Sequence, residues 1–242
     1  MPMLIFAKRN AQEILRDPLN LGFGIGFPLI VLLLLTAIQA NIPVQLFQLE
    51  QLTPGICVFG LSFISLFSGQ LIAKDRSSSL MLRLRATPLT AADFILGYML
   101  PLLPIAIAQS LICYGAAFIL GLPCTINVLL SLATLLPTGL LFISIGLLAG
   151  SALNDKQVGG FCGALLTNLS AWLSGTWFDL NLVGGTFSKI AYTLPFARAV
   201  DAARAGLAGN AAAIFPHLWW VISYAAGISI LAIWVFKRKT SK

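Results

Sequence analysis

The chain has 242 residues, of which 58% are hydrophobic and only 10% charged, and its formal net charge is +7. A soluble globular domain carries roughly 25% charged residues, so a water-exposed globule of this size is excluded and lipid is the solvent for most of the chain. The basic residues flank long apolar runs, which makes them orientation signals in a membrane and excludes nucleic acid as a partner.

In chain order, residues 4–17 predict an amphipathic helix. Leu4, Ala7, Ala11 and Ile14 recur at helical spacing with Ile5 and Leu15 alongside, while Lys8, Arg9, Gln12, Glu13 and Arg16 fall mostly on the other side. Such a helix lies in the headgroup plane, and Arg9 and Glu13, four apart, form a weak pair. Asp17-Pro18 ends it and turns the chain toward the first span. No cleavable leader is expected, because the first apolar run is too long and follows charges of both signs.

A bilayer core needs about 20 apolar residues per helix. Six stretches qualify, near 21–40, 53–73, 94–120, 126–153, 158–178 and 216–236, and none contains Asp, Glu, Lys or Arg. The expected fold class is an all-α integral membrane protein of one transmembrane domain, 1–242, with six transmembrane helices. With the N-terminus inside, twelve of the fifteen Lys and Arg fall on the cytoplasmic side, and only Lys189, Arg198 and Arg204 lie outside. Both termini are therefore expected in the cytoplasm and the protein in the inner membrane. Small residues four apart at Gly22/Gly26, Gly146/Gly150 and Gly159/Gly163 permit close helix approach.

Residues 179–214 are too long for a tight turn and too interrupted for a further span. An apolar piece, Ile190 to Phe196, precedes Ala199, Ala202, Ala203 and Gly206 at helical spacing. Short helices dipping into the outer leaflet are expected, broken at Pro195, with Leu194, Pro195 and Phe196 as an outer gate.

Little in the chain supports catalysis. His217 is the sole histidine, which argues against a metal cluster or a hydrolytic triad, and beside Trp219 and Trp220 it reads as an interfacial anchor. Cys57, Cys113, Cys124 and Cys162 include no CxxC pair and read as small buried hydrophobes. No phosphate-binding loop is present, so ATP and magnesium, if used, belong to another chain. Ser65, Ser68 and Gln70 on the second span, and Thr167, Asn168, Ser170 and Ser174 on the fifth, are the candidate lining of a polar pathway; interhelical hydrogen bonding is the alternative for the same residues.

The most informative segment runs from Lys74 to Tyr98, between the second and third spans. Leu80, Leu84 and the stem of Arg83 form one helical face, Pro88 ends the helix, and Thr90 is placed to cap the third span. This segment resembles the intracellular coupling loop of ABC exporter permeases of the second class, through Asp75, Arg83, Leu84, Ala86, Thr87, Pro88 and Leu89. Ser79-Leu-Met-Leu82 stands where members often carry Gly-Thr-Leu-Glu. The resemblance extends along the chain, through Arg16-Asp-Pro18 before the first span and Leu194 to Arg204 before the last. It implies a permease subunit exporting an amphipathic or hydrophobic cargo, paired with a second permease copy and with separate ABC ATPase subunits that bind ATP and magnesium. It also implies that the interfacial helix (1–18) and the 74–90 loop engage the ATPase, through Arg9, Glu13, Arg16, Asp75, Arg76, Arg83, Leu84 and Pro88. The alternative class is an ATP-independent channel or membrane scaffold.

Overall fold

The computed structural model describes residues 2–78, 87 and 89–240, and every regular element among them is helical. A chain this apolar must satisfy its backbone internally, and helices do so within each segment. Helix α1 spans Pro2–Leu15. Asp17 caps α2 (Pro18–Gln39), its carboxylate accepting from the Asn20 amide at 3.2 Å while Pro18 fills the first helical position. Helix α3 is Leu49–Ser77. Thr90 and Asp93 form a reciprocal capping box that opens α4 (Ala91–Met99), and α5 (Leu102–Ile119) follows. Helix α6 is Asn127–Ala152.

Asn154 and Gln157 form a second capping box at α7 (Asp155–Val158), which continues without a break through a π-helical segment, Gly159–Leu166, into α8 (Thr167–Leu173). Short helices α9 (Leu180–Val183) and α10 (Gly185–Thr193) lead to α11 (Pro195–Leu207) and the long α12 (Ala211–Thr240).

Among the described residues, five stretches are long and apolar enough to cross a bilayer: 20–39, 49–77, 91–119 (α4 with α5), 127–152 and 211–239. The stretch expected as a further span, 158–178, is helical from Asp155 to Leu173, with a π-helical middle. Its middle holds Gly159, Gly160 and Gly163. Residues without a Cβ accept the wider π turn more readily than others. The expected external region is helical too, with its break before Pro195 as the sequence implies.

Helix α3 is the hub, buried along most of its length. Against α6 the two backbones touch. A Cβ at Gly146 falls 2.0 Å from the Ser65 carbonyl oxygen, and one at Gly150 falls 2.2 Å from that of Gly69. Of the three small-residue pairs in the sequence, this is the one that packs backbone on backbone. Gly22, Gly26 and Gly159 face open space, and Gly163 meets only the Leu66 side chain. Helix α11 lies on α6 in the same way, with Gly206 against the Ser131 backbone and the Ser131 hydroxyl donating to Ala203 O at 2.7 Å.

These contacts predict opposite outcomes for two glycine substitutions. Gly150→Ala forces α3 and α6 apart and costs about 1–3 kcal/mol. Gly26→Ala meets no neighbour and gains about 0.5–1 kcal/mol of helix propensity. Thermal unfolding of the detergent-solubilised variants checks both signs.

Candidate functional site

The last turn of α3 carries Asp75 and Arg76, and each is tied to a different neighbour. Asp75 is 3% exposed. Its Oδ2 accepts from Arg9 Nη1 of α1 at 2.6 Å and from the Tyr98 hydroxyl of α4 at 2.9 Å, and its Oδ1 accepts from Arg9 Nη2 at 3.1 Å. Two parallel guanidinium bonds to one carboxylate fix geometry as well as supply energy. Arg9 also pairs with Glu13 one turn on, and its Nη1 donates to Asn10 Oδ1 at 2.8 Å. On the other flank, Arg76 Nη1 donates to Gly150 O at 2.7 Å, covering a carbonyl at the end of α6. The segment between the second and third long helices thus leaves from a point clamped to α1, α4 and α6.

Packing makes this cluster possible. The buried stripe of α1 is Phe6, Ala7, Asn10 and Ile14. Phe6 meets Tyr98 edge-on at 4.9 Å and Phe94 at 5.4 Å. It fits because Gly97 has no side chain: a Cβ there lies 2.5 Å from the Phe6 ring. Asn10, fully buried, donates to Gly97 O at 3.0 Å. Phe94 continues to Phe236 of α12 at 5.4 Å.

The electrostatics follow from this half-withdrawn setting. Burial works against the Arg9 charge, yet its bond to Asp75 and the neighbouring carboxylates outweigh that and raise its pKa. Glu13 is raised because burial penalises its charge by more than Arg9 restores.

The residues expected from sequence fall into three groups. Arg9, Glu13 and Asp75 come together, and Arg76 stands beside them; Arg16 is exposed past the end of α1, while Arg83, Leu84 and Pro88 lie outside the described residues. Among the pathway candidates, Ser65 and Ser68 are buried toward α6, Ser68 donating to Ile143 O at 3.1 Å. Thr167, Ser170 and Ser174 are buried, with hydroxyls on the carbonyls of Cys162, Thr167 and Ala171. Asn168 is exposed, its amide on Ala164 O at 2.8 Å, and Gln70 lines a cleft of about 50 Å³ with Glu13, Asp17 and Lys74. At the expected gate, Leu194 caps α11, Pro195 starts it, and Phe196 stacks on Phe142 of α6 at 5.7 Å.

Tyr98, Asn10 and Phe6 were not foreseen. Asn10 had a signal, since it shares the 7, 10, 14 stripe with Ala7 and Ile14. Nothing in the sequence pointed Tyr98 at Asp75. Also unforeseen is an aromatic group beside α3: the buried Phe59, the half-buried Phe63, Phe27 of α2 and Trp177, with centroids 5.3–6.1 Å apart.

A second polar cluster sits at the other end of α3. Asp201 and Arg204 of α11, Tyr192 of α10 and Gln51 line a cavity of about 430 Å³ with the 174–181 turn. Burial raises the Asp201 pKa, partly offset by His217, Arg204, Tyr192 and Arg198. Burial likewise lowers that of Arg204.

Fold and site together define a multi-pass helical membrane protein whose buried charges gather at the two ends of one central helix. The chain belongs to the ABC-2 type transporter family, whose model matches residues 3–208. It is a membrane permease of an ABC transporter, a transport subunit in a family whose ATPase is a separate chain. Among curated proteins, none matches the chain.

Two predictions follow from the charges. Asp75→Asn removes one partner of a largely buried pair and costs about 2 kcal/mol, less than a fully buried pair because Arg9 remains partly solvated. Tyr98→Phe costs about 1 kcal/mol. Thermal unfolding ranks the two. For Asp201, the folded-state pKa is raised, so its contribution to stability is full below the ordinary carboxylate value and is lost as pH rises through the folded value. Asp201→Asn is therefore more stable than the parent at neutral pH, and the difference shrinks on acidification toward pH 4.

Proposed function

We propose that this chain is the permease of an exporter driven by a separate ABC ATPase, working as a homodimer in the inner membrane with both termini in the cytoplasm. The observation that carries the reading is the bidentate Arg9–Asp75 contact with Tyr98. It joins the N-terminal helix to the end of α3, at the mouth of the segment that resembles a coupling loop. In this reading α1 and the 74–90 segment sit together on the ATPase, which supplies ATP and magnesium. Closure of the ATPase pair displaces them as one body. The charge split of the sequence supports the orientation.

The cargo class follows from the open faces. The half-open stripe of α3 carries Phe63, Leu66 and Gln70, and the exposed side of the composite helix presents Phe161, Leu165, Leu169 and Trp172 around Asn168. An apolar, aromatic lining with isolated amides suits an amphipathic or hydrophobic molecule. A charged cargo calls for charged partners within the spans.

Affinity purification of the tagged chain in mild detergent, followed by mass spectrometry, tests the assignment. A stoichiometric soluble subunit with a phosphate-binding loop is expected. A single-component oligomer across several detergents overturns it and favours a channel or scaffold. In the reconstituted complex, Arg9→Asp loses about ten-fold or more in transport-stimulated ATP hydrolysis, and the exchanged pair Arg9→Asp with Asp75→Arg recovers part of it. Equal activity in the single variant and the parent counts against the latch.

A further inference from the structure

The cavity of about 430 Å³ at the outer end of α3 has a neighbour of about 200 Å³, bounded by Glu50, Leu122, Pro123, Thr125 and Asn127. Two residues line both: Gln51 and Arg204. Arg204 spans the boundary between them. Its Nε donates to Gln51 O at 3.0 Å and its Nη2 donates to Gly175 O at 3.0 Å. Gln51 lies in the first turn of α3, and Gly175 is the left-handed turn residue (φ +70°) where the chain leaves α8. One side chain on α11 therefore closes a seam between α3 and the end of the composite helix.

The bonds that hold this seam differ in kind from those at the inner end. Both acceptors are neutral backbone carbonyls, and both face polar cavities, so water can take over when the guanidinium leaves. An alternative acceptor is already in place. Asp201 stands three residues earlier on α11, within reach of Arg204 on one helix face. It is half-buried, and its other charged or titratable neighbours are Tyr192, Arg198 and His217. Tyr192 lines the same cavity. Arg198 is committed elsewhere, its Nε donating to Tyr192 O at 2.9 Å and its guanidinium lying 4.8 Å over the Trp220 ring. Among the described residues, no ion pair holds Arg204 at this end.

We propose that Arg204 is the movable bar of an outer gate: on the Gln51 and Gly175 carbonyls it keeps the two cavities apart, and swung to Asp201 it joins them into one opening. This rests on the transport reading above and assigns Arg204 a positioning role in the release step. The device has two states with a defined acceptor in each, which is what a gate requires.

The test reads the gate on the permease itself. A reporter cysteine replaces Thr176, which lines the larger cavity and is 5% exposed. Cys124, the one exposed native cysteine, is changed to Ser, and the buried Cys57, Cys113 and Cys162 stay. The protein is placed in lipid nanodiscs and labelled with a bulky, membrane-impermeant maleimide. Arg204→Gln is expected to label at least ten-fold faster than the parent. Arg204→Lys, which reaches one carbonyl at a time, falls between. Equal rates in the parent and in a folded, monodisperse Arg204→Gln overturn the bar. Should Arg204→Gln not fold, Asp201→Ala decides: with no acceptor left at 201, it labels more slowly than the parent, and an unchanged or faster rate overturns the proposal. Labelling needs no ATPase, so a chain that captures none still reports on the gate. A confirmed ATPase partner together with Arg204-independent labelling rejects the bar and leaves the transport reading intact.

Discussion

The close approach of α3 and α6 is the constraint on which the remaining packing depends. Within a bilayer there is no hydrophobic driving force between helices, so their association rests on dispersion contacts and on small residues that let backbones meet. Gly69, Gly146 and Gly150 supply that contact, and Ser68 adds a hydrogen bond across it. Once α6 is fixed to α3, its remaining faces are assigned. One face receives α11 through Gly206, Ser131 and the Phe142–Phe196 stack, and the C-terminal end is covered by Arg76. The serine hydroxyls along these faces bond to carbonyls of their own or adjacent helices, so they add no uncompensated polarity to the interior.

Charge is used sparingly and at the ends. The described spans carry none at mid-depth, and two clusters stand out near their ends, Arg9–Asp75–Glu13 and Asp201–Arg204. The two differ in strength. Asp75 is held by a bidentate, charge-assisted contact whose disruption leaves a buried charge bare. Arg204 is held by two neutral carbonyls beside polar cavities. A firm joint and a yielding one therefore lie at opposite ends of the same molecule.

Much of this was legible in the sequence because its strongest signals are local. Apolar run length located the spans, Asp17-Pro18 set the turn out of α1, and Thr90 stood where its capping box formed. The Arg9–Glu13 pair followed from spacing alone. Less legible was whatever depends on which faces meet. The π-helical stretch within 159–166 answers to glycines whose conformational choice is settled by context, so a uniform span was the natural expectation. On α1 the buried stripe is centred on Phe6 and Asn10, and Leu4 and Ile5 are exposed, because Gly97 opens a notch that no periodicity reveals. The serines and threonines of the second and fifth expected spans show the same limit. Their positions were clear in the sequence, but whether each hydroxyl faces a neighbouring helix or an open surface is fixed only by packing.

Helix α3 connects the two polar groups in a way that bears on mechanism. Asp75, in its last turn, is the acceptor of the firm joint, and the carbonyl of Gln51, in its first turn, is one acceptor of the yielding one. The separation of 24 positions from Gln51 to Asp75 corresponds to about 36 Å of helix. Pro54 removes one amide bond in the second turn, and beyond it Gly55 and Gly60 are packed against Thr176 and Gln109, which supports the rod. A displacement imposed at Asp75 therefore has few places to dissipate. The weakest constraint along the rod is the pair of carbonyl bonds to Arg204. A push at the firm end is relieved at the yielding end, which is the order of events that the proposed transport cycle needs.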